Sequence, residues 1–413
     1  MTLPEANKQL RLLWVNHFAV APDMGGATRH VEVGRELVKL GWHVTIVASD
    51  FHLHRRTYTR RSGANDRAPV REMIDGVEVE WLWASPYSGN DARRVANWLS
   101  FSRSLARFDT GALSPDIIIG STPHLFAALA SWRLARKHRI PFMLEVRDLW
   151  PESLGVGGGR RGPGYWGLWT LSRFLYRVAD RILVLARGVG RFLTSQGVAA
   201  HKVVYVPNGT DVSRFAAPGG QPARESLRLV YAGAHGPANG LDTVLDAALA
   251  LRDEPRVSFL FIGDGTAKAE LEGRARASAL TNVEFAESVP KSGMPSVLAS
   301  CDAGLMVLKD VPLFSFGVSP NKLFDYWGAS LPVVCNVPGE VAEWVRTAGG
   351  GMQTANASAS ALVATIRDLL LLSPGDRRAL GASGRGFVER EHDRPVLAAR
   401  LDEALRECMQ AVA

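Results

Sequence analysis

Three things are scarce in this sequence: cysteine, long apolar runs, and basic residues gathered in one place. Only Cys301, Cys335 and Cys408 occur in 413 residues. Their spacing fits neither a disulfide framework nor a zinc site, which excludes a stapled secreted domain and agrees with a reducing cytoplasm. Cys335 falls in an apolar strand pattern and reads as a small buried residue. No apolar stretch approaches the roughly 18–20 residues that a spanning helix needs. The opening segment "MTLPEANKQLRLL" has no secretory apolar region. Basic residues are dispersed and no nucleic-acid-reading module occurs, which argues against a nucleic-acid binder.

What is present is the composition of a globular α/β protein: 46% hydrophobic, 22% charged and 40 glycines. The length exceeds one ordinary core and favours two domains of roughly 200 residues. The net charge of +7 is uneven. Residues 1–200 hold 27 Lys/Arg against 17 Asp/Glu, and the remainder 21 against 24. A basic first half points to an anionic partner such as a phospholipid surface or a lipid diphosphate, although arginines on solvated helices would look the same.

Strand-like apolar runs alternate with helical patterns along the whole chain. "LRLLWVN" (10–16), a glycine-bearing loop, the helical "ATRHVEVGRELVKLG" and "HVTIVAS" (43–49) give a β-loop-α-β opening. That order favours a parallel sheet. Residues 51–75 are basic and polar and read as a mobile loop. Strands follow in "GVEVEWLW", "PDIIIGST" (115–122), "PFMLEVRD" (141–148), "DRILVLA" (180–186) and "KVVYVPNG" (202–209). A Pro/Gly-rich linker around 206–225 precedes a second set: 227–233, 257–265, 282–287, 303–308 and 331–336. The expected domains are 1–205, 206–388 and a final segment 389–413.

Three stretches carry chemistry. In "SPNKLFDYWGASLPVV" (319–334), Ser319 is placed to N-cap a helix that has Pro320 in its first turn and runs to about Ala329. Lys322 and Asp325 then share a face one turn apart, beside a helix start that favours anions. An ordinary surface helix with a weak ion pair is the alternative. In "YAGAHGPANGLDTVLDAA" (231–248), Gly233, Gly236 and Gly240 separate a strand from a helix beginning near Asp242. Such loops let a phosphate approach the backbone, but a plain β–α turn reads the same way. Gly25 and Gly26 form a similar loop in the first half. In "EVRDLWPES" (145–153), Glu145, Arg147 and Asp148 close a buried strand, where charges are costly unless a cleft wets them. Asp148 could orient a substrate hydroxyl or take its proton. The alternative is a structural Arg–Asp pair.

Together with "MGGATRHVEVGRELVKLGWHVTIVAS", "VPNGTDVSRF" and "FIGDG", these blocks occur in an order and at intervals that resemble the family-4 retaining glycosyltransferases. The nearest resemblance is to the fucosamine-transferase-like branch of bacterial surface-polysaccharide biosynthesis. It covers nearly the whole chain, and Asp-Leu-Trp-Pro and Ser-Pro-Asn-Lys-Leu are its most specific parts. It implies the GT-B fold, with two Rossmann-like domains facing each other across a cleft. It also implies transfer from a UDP-sugar, with retention and without an essential metal, to a hydroxyl of a saccharide or lipid-linked saccharide. No Asp-x-Asp ends a strand, in agreement with that. No cofactor is required, and the sugar nucleotide is a substrate.

The resemblance places the donor on the second domain, with Gly233, His235, Gly236, Asn239, Gly263, Val289, Asn321, Lys322, Leu323 and Asp325 as its contacts, and Gly25 and Gly26 opposite. Asp325 stands where the second of two family glutamates would hold ribose hydroxyls; the first would fall at Gly317. The cations of the family's glycine loop are missing, with Asn239 near the expected lysine, which leaves Lys322 to neutralise the diphosphate. Asp148, Lys322, Glu145 and His124 are the catalytic candidates, and Ser121 or Thr122 compete for the place of His124. "GRRGPGYWGLWTLSRFLYRVAD" (159–180) mixes aromatic and basic residues at helical spacing. That suits peripheral contact with an anionic membrane at the inner face, or a helix whose aromatics face the core. An epimerase of the same fold and a non-catalytic sugar-nucleotide binder remain as alternatives.

Overall fold

Two parallel sheets organise the computed structural model. It describes residues 9–24, 26, 28–53, 55–89, 91–157, 162–216, 224–311, 314 and 316–411. The chain divides into two compact units, residues 1–21, 26–206 and 397–413 in one, and 22–25 and 207–396 in the other. Gly25, Arg160, Arg161 and the linker residues 217–223 lie outside the described residues.

The sheet of the first unit contains β1 (Arg11–Val15), β2 (His43–Ser49), β3 (Val70–Ile74), β4 (Val77–Leu82), β5 (Ile117–Ser121), β6 (Phe142–Val146), β7 (Arg181–Val184) and β8 (Val203–Tyr205). Their spatial order is β3-β4-β2-β1-β5-β6-β7-β8. All neighbours are parallel except β3 with β4. The central strands read as unbroken apolar runs because helices cover both faces of such a sheet. Trp14 on β1 lies between Ile46 and Ile119 in register and is fully buried. The last helix, Arg394–Gln410, buries Leu397, Leu401, Leu405 and Cys408. It is tied to this unit by the Trp42 indole N–H, which donates to Asp402 Oδ1 at 2.7 Å.

The second sheet is parallel throughout, in the order β11-β10-β9-β12-β13-β14. Its strands are β9 (Leu227–Ala232), β10 (Val257–Ile262), β11 (Val283–Ala286), β12 (Ala303–Met306), β13 (Val333–Cys335) and β14 (Gly351–Gln353). Leu229, Tyr231, Phe259, Phe261 and Leu305 form the centre of its core.

Three local expectations change. Residues 51–75 are not a loose loop. They contain β3, and Arg61 is buried with Nε 2.6 Å from Asp50 Oδ2 and a second nitrogen donating to Trp81 O at 3.0 Å. Such a pair hides inside a basic, polar stretch because its partners lie outside that stretch, Asp50 just after β2 and Trp81 on β4. The short β14 carries too little apolar pattern to be read from the sequence. Ser319 does not cap the helix. That helix is Asn321–Gly328 with Pro320 at the N-cap, and the Ser319 hydroxyl accepts from the Asn208 N–H at 2.8 Å.

Candidate functional site

In the second unit, the loops after β9 and β10 meet backbone to backbone. Gly233 has φ +151° and Gly263 +144°. A Cβ on Gly263 would stand 1.9 Å from the Gly233 carbonyl oxygen, so no side chain fits there. The His235 N–H donates to Asp264 O at 2.9 Å and the Ala267 N–H to His235 O at 2.9 Å, which fixes the two loops together. Gly236 and Asn239 shape the turn before the Leu241–Ala250 helix, with the Asn239 N–H donating to Gly236 O at 3.1 Å.

Lys322 reaches this loop from the start of the Asn321–Gly328 helix. Its Cε lies 3.3 Å from the position a Gly233 Cβ would take. Nζ donates to the Tyr231 hydroxyl at 2.8 Å and sits 4.0 Å from that ring's centroid. The hydroxyl in turn donates to Ala234 O at 2.9 Å. Among the described residues the ammonium has no carboxylate partner, and burial lowers its pKa to about 7. A ring face and a hydroxyl orient a cation but do not neutralise it.

Asp325, one turn further on, is already engaged. Its Oδ1 accepts from Thr210 Oγ1 at 2.7 Å and from Lys291 Nζ at 2.6 Å, and Oδ2 accepts from Lys291 Nζ at 2.5 Å. Of about four lone-pair sites on a carboxylate, these leave about one. The ion pair of the alternative surface-helix reading does not form between Lys322 and Asp325; Asp325 pairs with Lys291 instead. Gly317, where the resemblance expects a glutamate, has φ +97°, which a glutamate adopts only under strain.

The other proposed contacts separate by exposure. Leu323 is fully buried in the core, so its side chain cannot meet a ligand, a correction to its place in the candidate set. Val289 is half-buried, and Asn321 presents a buried Oδ1 without a hydrogen-bond partner. His235 is enclosed by Tyr231, Phe261 and Phe285, with both ring nitrogens unpartnered. Burial, with Lys268 nearby, lowers its pKa to about 4, so the ring is neutral. It fills space between the two loops.

In the first unit the candidates lie at the carboxyl ends of β5 and β6. The expectation that water reaches Glu145 is overturned. It is fully buried, its Oε2 accepting from Ser121 Oγ at 2.6 Å and lying 3.1 Å from His30 Nε2, with Arg29 Nε 3.4 Å from Oε1. Burial alone would raise its pKa, but His30, Arg29 and Arg147 outweigh it and hold the carboxyl below the usual range. Burial also keeps His30 neutral, with a pKa lowered to about 4. Glu145 is thus a structural anion that anchors the first helix, Arg29–Lys39, to β6.

Asp148 is exposed just past the end of β6, and Arg147 is half-exposed. No ion pair joins them; the Arg147 N–H donates instead to Thr122 Oγ1 at 3.0 Å. His124 is buried, its Nδ1 3.2 Å from His17 Nδ1, among Phe18, Trp98 and Phe101. Burial, then His17, lowers its pKa well below the ordinary value. Gly26 keeps φ +136° beside the Val20 side chain. Sequence reasoning missed Lys291, Thr210 and Tyr231 in one unit and His17 and His30 in the other. Lys291 and His17 lie in none of the quoted blocks, while Thr210, Tyr231 and His30 lie within them at positions whose type signals no role, Tyr231 reading as core. Among the described residues no group of three or more His, Cys, Asp or Glu side chains could hold a metal.

Residues 24–209 match the glycosyl transferase 4-like domain family, and residues 226–371 the family of glycosyl transferases group 1. The chain is 30% identical over 298 residues to the putative colanic acid biosynthesis glycosyl transferase WcaI of Escherichia coli K12, covering 68% of this chain and 71% of that one. Among solved structures it resembles sucrose-phosphate synthase from Thermosynechococcus elongatus, at TM-score 0.76 and 16% identity over 97% of this chain and 100% of that one. It also resembles Anabaena HepE, solved with UDP and glucose, at TM-score 0.67 and 13% identity over 96% and 99%.

Proposed function

We propose, for a chain that belongs to the glycosyltransferases with a family 4-like first domain and a group 1 second domain, a UDP-sugar donor and a retaining, metal-independent transfer. The acceptor is a hydroxyl of a saccharide or lipid-linked saccharide, and the setting is glycan biosynthesis. The observation that carries this reading is the Lys322 ammonium, held at a glycine loop and a helix start with no anionic partner among the described residues. HepE, of similar fold, binds UDP and glucose, in keeping with such a donor.

In this reading the diphosphate lies against the Gly233 loop and Lys322. As the bond from the sugar's anomeric carbon to the phosphate oxygen breaks, negative charge grows on that oxygen, and the ammonium stabilises it most at that point. A charge so placed supplies roughly 2–4 kcal/mol and makes a bound metal unnecessary. Ribose hydroxyls take over the Asp325 carboxylate, displacing Lys291. The acceptor binds the first domain, where the exposed Asp148 carboxylate is available to orient a hydroxyl or take its proton. Exclusion of water from the site limits hydrolysis of the donor.

The test is UDP release from a panel of UDP-sugars, including N-acetylated and 6-deoxy ones, with thermal shift in parallel. One donor should stabilise the protein, and a saccharide or lipid-linked acceptor should accelerate UDP release from it. Conversion of a UDP-sugar to its epimer without acceptor, or binding with no turnover under any acceptor, would sink the transferase reading.

A further inference from the structure

The apolar stripe of the Pro163–Val178 helix is longer than the core that covers it. Ser172, Leu175 and Tyr176 are buried, at the i, i+3, i+4 spacing of a core-facing stripe. One and two turns earlier the same stripe carries Tyr165, Leu168 and Trp169, which are only half-buried. Trp166 beside them is 51% exposed, and Leu154 in the short helix before is exposed as well. The aromatics therefore face the core in the second half of the helix and not in the first.

The second half of the helix borders a cavity of about 580 Å³ with Arg173, Phe174, Arg177, Gln196 and Lys202 in its wall. Among the described residues, no acidic one lines it. Arg173 donates to Gln196 Oε1 at 2.7 Å and lies 3.8 Å from Glu152. Lys202 donates to the Arg177 and Ala179 carbonyls at 3.0 and 2.9 Å, at the helix's carboxyl end. Arg177 is exposed, and among the described residues it has no carboxylate partner. One helix thus offers half-covered Trp, Tyr and Leu side chains and, two turns on, a concave cationic site.

We propose that this face docks on an anionic phospholipid surface, the aromatics entering the headgroup layer and the cavity receiving a lipid phosphate. Trp and Tyr favour that layer because each joins an apolar ring to a polar handle. Arg177 supplies charge complementarity, within a first half of the chain that carries an excess of ten basic residues over acidic ones. The inference stands independently of the donor site.

The test is sedimentation of the full chain with vesicles of phosphatidylcholine alone and of phosphatidylcholine with phosphatidylglycerol. The protein should sediment with the anionic vesicles at low salt, leave them at high salt and ignore the neutral ones. Trp166→Ser and Arg177→Glu, both at exposed positions, should each weaken partition roughly tenfold or more. Arg252→Glu, the same charge change on an exposed arginine of the second unit, should do little. Absence of sedimentation with anionic vesicles at low salt overturns the proposal and leaves the face to a protein partner. Equal losses from Arg177→Glu and Arg252→Glu overturn it too, since net charge and not this surface would then be responsible.

Discussion

Replacing Lys322 with methionine should separate activity from stability in opposite directions. The ammonium has its pKa lowered to about 7, so near neutral pH about half of the free protein holds an uncharged amine there. A diphosphate binds the charged form. Its apparent affinity should therefore fall as pH rises, by roughly fifty-fold between about pH 7 and about pH 9 if the neutral amine contributes nothing. The diphosphate's own ionisation is complete above about pH 7, because a phosphate's second pKa is near 6, so the trend belongs to the protein. Titration calorimetry with UDP and with uridine, in the native chain and in Lys322→Met, checks this. UDP affinity should decline with pH in the native chain and be low and flat in the variant. Uridine, which has no phosphate, should be indifferent to both changes. Turnover should drop roughly 10²–10³-fold in the variant. UDP affinity independent of pH across this window, or an equal loss for uridine, would refute the argument.

Stability works the other way. The folded pKa of Lys322 lies below the unfolded value of about 10.4, so between about pH 7 and about pH 10 the unfolded chain holds the proton that the folded chain has lost. The free protein therefore gains stability as pH rises through that window. Lys322→Met should remove this dependence and stabilise the free protein by about 1–3 kcal/mol in urea unfolding at neutral pH.

Gly263→Ala should cost about 3 kcal/mol or more in the same assay, since its Cβ would meet the Gly233 carbonyl at 1.9 Å; a loss below about 1 kcal/mol would mean that the two loops part easily. Glu145→Gln should destabilise by about 3–5 kcal/mol, because its fully buried ion pair with Arg29 would be broken. Acid should weaken the first unit from about pH 6.5 downward. Unfolded histidines take up protons there, while folded His17 and His30 hold out to about 3 and 4 and His124 stays neutral as well. Each contributes up to about 1.4 kcal/mol per pH unit. A urea midpoint unchanged between about pH 6.5 and about pH 5 would contradict this. Lys291→Met should tighten uridine binding roughly three-fold to ten-fold by freeing the Asp325 carboxylate; weaker uridine binding would show that Lys291 supports the ribose site and does not compete for it.

Much of the fold was readable because a parallel sheet covered on both faces writes itself as uninterrupted apolar runs. His43–Ser49 and Leu227–Ala232 appear in the sequence almost at their true ends. β3 was missed because it buries none of its residues and carries the adjacent charges Arg71 and Glu72, and its pairing depends on β4, which follows only after a short turn. The glycine loops were visible as punctuation, but their tightness was not. The close approach of Gly263 to Gly233 involves residues from two separate β–α turns, which no local pattern records. The same limit applies to charge partners. Lys322 and Asp325 share a helix face, so spacing pairs them. The fold instead turns Lys322 onto Tyr231 and brings Lys291 in from 34 positions away. Glu145 looked like a cleft residue because its neighbours in sequence are charged. Its partners Arg29, His30 and Ser121 come from a helix and a strand far off in the chain.

The contrast between these buried charges bears on function more than any one of them. Glu145 is closed: an arginine, a hydroxyl and an imidazole meet it, and nothing remains for a ligand to do. Asp325 is held by Lys291 and the Thr210 hydroxyl, with about one lone-pair site left. Lys322 is open. It bears the cost of burial and recovers part of it from a ring face and a phenol oxygen, but from no anion among the described residues. A methionine of similar length would fill the same space at lower cost. An ammonium that weakens the free protein makes physical sense where another state of the molecule supplies the missing anion. Gly233 beside it carries no side chain that would keep such an anion from the backbone. For that reason the lysine's cost in the free protein and its worth to the bound diphosphate should appear together in one variant, and a substitution that removed only one of them would break the link between the two.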